Sequence, residues 1–428
     1  MSSMAHSPTP PVPAPVRCEA TSRTVLVVAR GLQVRFDGDY LRFINIFPLL
    51  SARHRLILFY LDESTDENFL KTVSPYFSSV HVIDYHPKNS TIARLIDAFV
   101  LAPEHSIVRH DPHLFSEISC RIRDVIEREH VDLIHAWGRH EYQFLTAASV
   151  PTLYDLCDAL SIQAQQQTST PFSLRHRLRC LRLKRHEAHI VKRHTTVFVS
   201  DVDADFFVER HDCHTIPNGV DIHYFTPNAC EGLSSSIIFS GVMNFYPNVD
   251  AVLYFATNVF PLVKSRMPSA AWYIVGRDPT PEIQALHAPP DIIVTGFVDD
   301  LREHVGRAQV VICPMISGSG IKNKVLEAMA LGRAVVSTPS GVAGIDFTDG
   351  THLWVAESAE SFAARVVQLL GDSAARERIG QAARRLVEAR YSWQSTVDRY
   401  DTLYRHLTNT KSVPAINGAN RGPTQNKC

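Results

Sequence analysis

No two cysteines of this sequence form a CxxC pair; all 8 stand singly between Cys18 and Cys428. That spacing excludes a disulfide framework and fits the reduced, mostly buried thiols of a cytosolic protein. Long apolar runs are missing as well. No window approaches the roughly 18–20 apolar residues of a spanning helix. The Pro-rich start, Ser7-Pro8-Thr9-Pro10-Pro11, lacks the apolar stretch of a secretory signal. A cytoplasmic location is expected. Charge of one sign is also absent: 43 Lys and Arg balance 44 Asp and Glu, a formal net charge of −1. Nothing global draws the chain to nucleic acid or to an anionic membrane, so a basic patch has to be local. The 21 histidines form no HxH or HxxxH pattern. No DxD-like pair sits on a convincing metal-binding loop: Asp201-Val202-Asp203 falls at a predicted helix start. Neither a metal nor a cofactor is expected.

What is present is alternation. With 428 residues the chain is long enough for two domains, and 45% hydrophobic residues supply a sizeable core. Polar segments at 1–22 and 411–428 read as disordered tails. Between them, apolar runs at 24–29, 55–60, 79–83, 132–136, 151–155 and 196–200 alternate with amphipathic stretches, and runs at 236–240, 271–275, 292–295, 310–313 and 334–337 begin a second series. Strands apolar on both faces and separated by helices predict parallel sheets covered on both sides. The fold class is therefore α/β, with two facing doubly wound, Rossmann-like domains at 23–215 and 216–390. Ile216-Pro217-Asn218-Gly219-Val220-Asp221 is the hinge between them. The carboxyl ends of both sheets would then face one interdomain cleft. A last helix at 391–410, with Trp393, Val397, Tyr400, Leu403, Tyr404 and Leu407 on one side, is placed to cross back to the first domain.

The stretch from Val310 to Ser337 carries the most chemistry. A strand runs into Gly318-Ser319-Gly320-Ile321-Lys322-Asn323-Lys324, and a helix follows from Val325 to Gly332. Glycines before a helix N-terminus let backbone N–H groups approach an anion, and Lys322 and Lys324 add formal charge there. A diphosphate fits such a loop. Glu327, about one turn into the helix, either stabilises the helix start or accepts hydrogen bonds from a ribose. A dinucleotide fingerprint is excluded, because Asn323 replaces the third glycine and the loop comes late in its domain.

Taken together, the second half resembles the donor-binding domain of the retaining family 4 glycosyltransferases of GT-B fold. The matching residues are Phe239-Ser240-Gly241, Pro247-Asn248-Val249-Asp250, Ile274-Val275-Gly276, Thr295-Gly296-Phe297, the Gly318 to Met329 segment and Gly332-Arg333-Ala334-Val335-Val336, with Asn218-Gly219-Val220-Asp221 as the hinge motif. The wording resembles a bacterial branch associated with exopolysaccharide and exosortase systems. The resemblance implies transfer of a sugar from a nucleoside diphosphate donor to a glycan or lipid-linked saccharide. It implies donor contacts at Gly31, Gly38, Gly241, Gly318, Gly320, Ile321, Lys322, Lys324 and Glu327. Two departures stand out. The first of two glutamates that the family spaces seven residues apart is Ser319 here. Its usual Arg and Lys after the first strand of the domain are replaced by Val242-Met243 and Pro247-Asn248.

In the first domain, Arg30-Gly31 and Phe36-Asp37-Gly38-Asp39 lead into a helix from Tyr40 to Leu50, with Asp39 as its expected cap. The resemblance sets this loop and Arg42 beside the donor phosphates. Where many relatives have a histidine after the strand at 151–155, Asp155, Cys157 and Asp158 occur instead. Asp155 and Asp158 join Ser319 as candidate catalytic residues, with local turn hydrogen bonds as the alternative reading. His135, ending an apolar strand, reads more readily as structural. Residues 174–193 concentrate eight Arg and Lys residues, with Leu174, Leu178 and Leu181 at helical spacing. They form either a helix packing its leucines on the sheet or a peripheral contact with anionic lipid at the inner face of the membrane. Two rival functions remain: a GT-B nucleotide-sugar epimerase, and a catalytically silent binding module.

Overall fold

The computed structural model describes residues 22–32, 38–63, 67–88, 91–92, 107–146, 148–166, 174–227, 232–318 and 320–409. The first domain holds a seven-stranded sheet of β1 (Thr24–Arg30), β2 (Arg55–Asp62), β3 (Ser79–Asp84), β4 (Leu133–Trp137), β5 (Thr152–Cys157), β6 (Thr195–Phe198) and β7 (Asp212–Thr215). The order is β3-β2-β1-β4-β5-β6-β7, and every pairing is parallel. The second domain repeats the plan with β8 (Ser236–Ser240), β9 (Ala271–Val275), β10 (Ile292–Gly296), β11 (Val310–Cys313), β12 (Ala334–Ser337) and β13 (Trp354–Val355), ordered β10-β9-β8-β11-β12-β13. These pairings are parallel too. In both sheets the strand order reverses beside the first strand, where open α/β sheets form their ligand crevices.

Residue choice explains the layers. Along β1, Val25, Val27 and Ala29 point to one face and Leu26 and Val28 to the other, each fully buried in a separate cluster. A strand wrapped on both sides has no polar face to show, so its sequence reads as a continuous apolar run. Two strands escape that signal. β7, Asp-Cys-His-Thr, is a half-buried edge strand, and β13 has only two residues.

The helices that position the site are α1 (Gly38–Ser51), α2 (Leu160–Gln166), α3 (Leu174–Val191), α4 (Tyr246–Tyr254), α5 (Asn323–Ala330), α6 (Ser373–Arg390) and α7 (Trp393–Asn409). α1 starts earlier than expected, so Asp39 sits in its first turn rather than capping it. Ser200 caps the short helix Asp201–Asp205, which contains the DxD-like pair. The last helix, α7, leaves the second domain and packs Val397, Tyr400, Leu403 and Tyr404 into the first domain's core. At the hinge, Val220 N donates to Tyr391 O at 2.8 Å, and Thr396 Oγ1 donates to Pro217 O at 3.1 Å. The chain thus crosses between the domains twice at one place. Among the described residues no helix is long and apolar enough to cross a membrane.

Of α3, the buried part is the C-terminal half, where His186, Glu187, Ile190 and Val191 anchor it. Leu181, expected on the packed stripe, is 55% exposed, and Leu178 is only partly covered. The Leu174 side chain lies outside the described residues.

Candidate active site in the interdomain cleft

The carboxyl ends of the two sheets face a cavity of about 630 Å³, lined from both domains. From the second domain come Gly241, Asn248, Gly318, Ile321, Lys322, Lys324 and Glu327, and from the first Gly38, Asp39, Arg42, Cys157 and Asp158. Gly31 follows β1, its N donating to Leu61 O at 3.2 Å, and does not line this cavity.

The loop before α5 is built to present cations. Lys324 Nζ donates to Asn248 Oδ1 at 2.7 Å and lies 4.0 Å from the Phe239 ring centroid. Asn248 Nδ2 in turn donates to Val242 O at 2.9 Å. The positions where Val242 and Asn248 replace the usual cations therefore orient one that comes from the facing loop. Burial lowers Lys324 to about 8, so charge on it is costly until an anion arrives. Lys322, expected to add charge beside the diphosphate, also lines the cavity. Its Nζ donates to Gly320 O at 2.8 Å and Gly318 O at 3.3 Å, which fixes the loop's curve. A cation the sequence reading missed, Arg277, follows β9 and lines the cavity, with its side chain 43% exposed and Nε 3.8 Å from Asp278 Oδ2. Its signal was its place directly after Ile274-Val275-Gly276. Burial raises Glu327 to about 7, with Lys324 pulling the other way. A carboxyl so placed gains from hydroxyl donors in a ligand.

Asp158 reaches this loop from the other domain. Gly320 has φ +69°, and a Cβ there would overlap Asp158 Oδ1, so the two domains meet where only glycine fits. Burial, followed by the neighbouring carboxylates Asp203 and Asp39, pushes Asp158 up to about 7. Its backbone is held from below. Arg139 Nη2 donates to Asp158 O at 2.8 Å, Asp203 accepts from Ala159 N at 3.1 Å, and Glu187 accepts from Leu160 N and Ser161 N.

Asp155 is a correction. Expected beside the sugar, it is fully buried beneath the cleft. It accepts from Tyr400 Oη, while Arg42 Nη2 lies at 3.6 Å and His135 Nε2 at 3.5 Å. Strand alternation is the reason: Asp155 faces α1 and α7, and only after Cys157, with φ +57°, does the chain turn Asp158 toward the cleft. Although burial opposes charge, Arg42 and His135 hold Asp155 at about 2. Arg42 is likewise committed, donating to Asn218 Oδ1, Ile216 O and Tyr400 Oη, rather than to a phosphate. His135 is structural, with Nδ1 2.6 Å from Tyr404 Oη. Ser319 lies outside the described residues. Among those described, no group of three or more His, Cys, Asp or Glu could hold a metal ion.

Residues 234–372 match the family model described as glycosyl transferases group 1. No curated protein matches the sequence. Solved structures match over nearly the whole chain. Sucrose-phosphate synthase from Thermosynechococcus elongatus aligns with TM-score 0.66 at 15% identity, over 91% of this chain and 100% of that one. HepE from Anabaena in complex with UDP aligns with TM-score 0.64 at 14% identity, over 90% and 100%. A glycosyltransferase from Rickettsia africae aligns with TM-score 0.64 at 16% identity, over 91% and 100%. At such identities the likeness is one of fold. The chain has the two-domain GT-B fold of solved glycosyltransferases, and its second domain carries the group 1 glycosyltransferase match.

Proposed function

We propose that the protein transfers a sugar from a nucleoside diphosphate sugar to a hydroxyl of a glycan or lipid-linked saccharide, with retention at the anomeric carbon, in cell-surface polysaccharide synthesis on the cytoplasmic side of the membrane. The observation that carries this reading is the convergence of Lys324, Arg277, Glu327 and Asp158 on one cavity between the domains. Lys324 and Arg277 offset the charge that develops on the leaving diphosphate. Glu327 accepts from the ribose hydroxyls, and Asp158 faces the transferred sugar. Donor complexes of a structural neighbour, HepE with UDP-glucose, support the choice of a nucleotide sugar. Retention rests on the family resemblance, and the polysaccharide role on its finer branch. With charge supplied by side chains, no metal is required.

The test is calorimetric titration of the protein with uridine, guanosine, adenosine and thymidine diphosphate sugars in chelator, beside Glu327→Ala. Selective binding lost in the variant supports the reading. Binding of none of them would sink it in favour of a silent module. Conversion of donor with no acceptor present would favour an epimerase.

A further inference from the structure

Two residues that hold the Asp158 backbone carry opposite charges, and neither lines the donor cavity. Arg139, two residues past the end of β4, is buried. Its Nη2 donates to Leu156 O at 3.1 Å and to Asp158 O at 2.8 Å, so one nitrogen spans the turn at Cys157. Its Nε lies 3.1 Å from Glu187 Oε1 on α3, and its carbonyl accepts from His186 Nε2 at 3.1 Å. Asp203 grips the chain on the far side of Asp158. It is buried, and it accepts from Ala159 N at 3.1 Å and from Ser200 Oγ. Asp201, the other member of its DxD-like pair, is exposed. The Asp203 arm also rests on the second domain. Gly344, with φ +81°, stands where a Cβ would come within 2.5 Å of Ser200 Cβ.

Buried charges are costly to keep, and a loop that only needed tying down could be held by neutral groups. These charges also act on the Asp158 carboxyl itself. Four elements bring charge to it: Asp203 from the short helix 201–205, Asp39 from α1, Lys322 from the loop before α5, and Arg139 from the turn after β4. Burial, then Asp203 and Asp39, push the carboxyl up, while Lys322 and Arg139 pull it down. The neighbouring Cys157 thiol is pushed well up by burial and stays neutral.

We propose that Arg139 and Asp203 are positioning residues for sugar transfer, acting through Asp158 by fixing its backbone from both sides so that its carboxyl meets the Gly320 loop and the transferred sugar. The inference rests on the transferase reading, and the experiment separates the two. The charged carboxylate is the form that offsets positive charge developing at the anomeric carbon as the bond to the diphosphate loosens. Turnover therefore falls as acid protonates Asp158. Arg139 favours the charged form, so removing it moves that fall to higher pH. Asp203 disfavours it, so neutralising Asp203 moves the fall to lower pH.

Turnover is read as nucleoside diphosphate released from the donor found by titration, with water as the acceptor, across about pH 5–9. Saturating donor removes the Glu327 and Lys324 titrations, which act on binding, from the reading. Arg139→Gln is expected to lower kcat about tenfold or more, to leave the donor Kd within about twofold, and to move the acid fall up by roughly half a unit or more. Asp203→Asn, which can still accept from Ala159 N, is expected to move the fall down by a similar amount. Arg139→Lys keeps the charge, and is expected to recover part of kcat with the fall near its wild-type pH. Should Arg139→Gln not fold, the double variant Arg139→Gln with Glu187→Gln, which leaves neither partner of the ion pair charged, takes its place. Shifts of the same sign, or a fall that is absent or unmoved in both variants, would reduce the two residues to loop anchors and overturn the inference alone. Absence of donor binding, or binding without release, would overturn the transferase reading and this inference with it.

Discussion

The Arg42 guanidinium donates to Asn218 Oδ1 at 2.8 Å, joining the core of the first domain to the hinge. Asn218 Nδ2 donates onward to Asn323 Oδ1 at 3.1 Å, at the first residue of the donor-loop helix. Behind Arg42 stand Asp155, Tyr400 and His135, and behind His135 stands Tyr404. A hydrogen-bonded path therefore runs from the returning C-terminal helix, through the hinge, to the loop that would hold the diphosphate. Because all of its members but the partly buried Asn323 are buried, each bond is costly to lose.

Asn218→Ala removes the link between the domains and leaves a buried guanidinium N–H without its acceptor. A stability loss of about 1–3 kcal/mol is expected in urea unfolding. If the path positions the donor loop, kcat falls further than donor affinity does. An unchanged kcat in the folded variant would reduce the path to a stabilising role.

Asp155→Ala leaves Arg42 charged and unpaired in the core, a change that costs on the order of 3–5 kcal/mol. Since Asp155 does not line the cleft, the folded variant is expected to bind donor as wild type does. The pH sign follows from its lowered value. Asp155 stabilises the native state above its unfolded value near 3.8, and that contribution disappears as pH falls through about 2. Acid unfolding followed by circular dichroism should accordingly be less steep in Asp155→Asn over that window.

Lys324 sets a pH limit on donor binding. Its protonated form is the one that meets a diphosphate, and in the free protein half of it is lost at about pH 8. Donor Kd is expected to weaken as pH rises above that value, by up to about tenfold per unit. Lys324→Gln should bind roughly tenfold or more weakly and show no such slope. A wild-type Kd that is flat across this range would remove Lys324 from the phosphate site.

Membrane contact through α3 is testable by liposome co-sedimentation. Arg177, Arg179, Lys184 and Arg185 are exposed on this helix beside Leu181, and Val208, 93% exposed, follows Phe206, whose ring lies under Lys184. Binding to anionic but not neutral vesicles is expected, reduced by salt and by Leu181→Asp. Equal recovery with both vesicle types would exclude the contact.

The sequence by itself determined the two sheets, because strands covered on both faces read as mainly apolar runs, and 11 of the 13 described strands fall on such runs. It determined the loop before α5 for a similar reason: glycines, lysines and a helix start are adjacent along the chain, so their chemistry is local. Side-chain direction and pairing across the chain were decided only by the tertiary structure. Asp155 and Asp158 look equivalent in sequence, but strand alternation and the left-handed turn at Cys157 send one into the core and the other to the cleft. Arg42 reads as a phosphate ligand until Asn218, Tyr400 and Asp155, which come from distant parts of the chain, are brought around it. Asn248 gains meaning only from Lys324, 76 residues away. Glu141 carries no motif at all; its unpaired oxygen becomes visible only when folding takes it out of water.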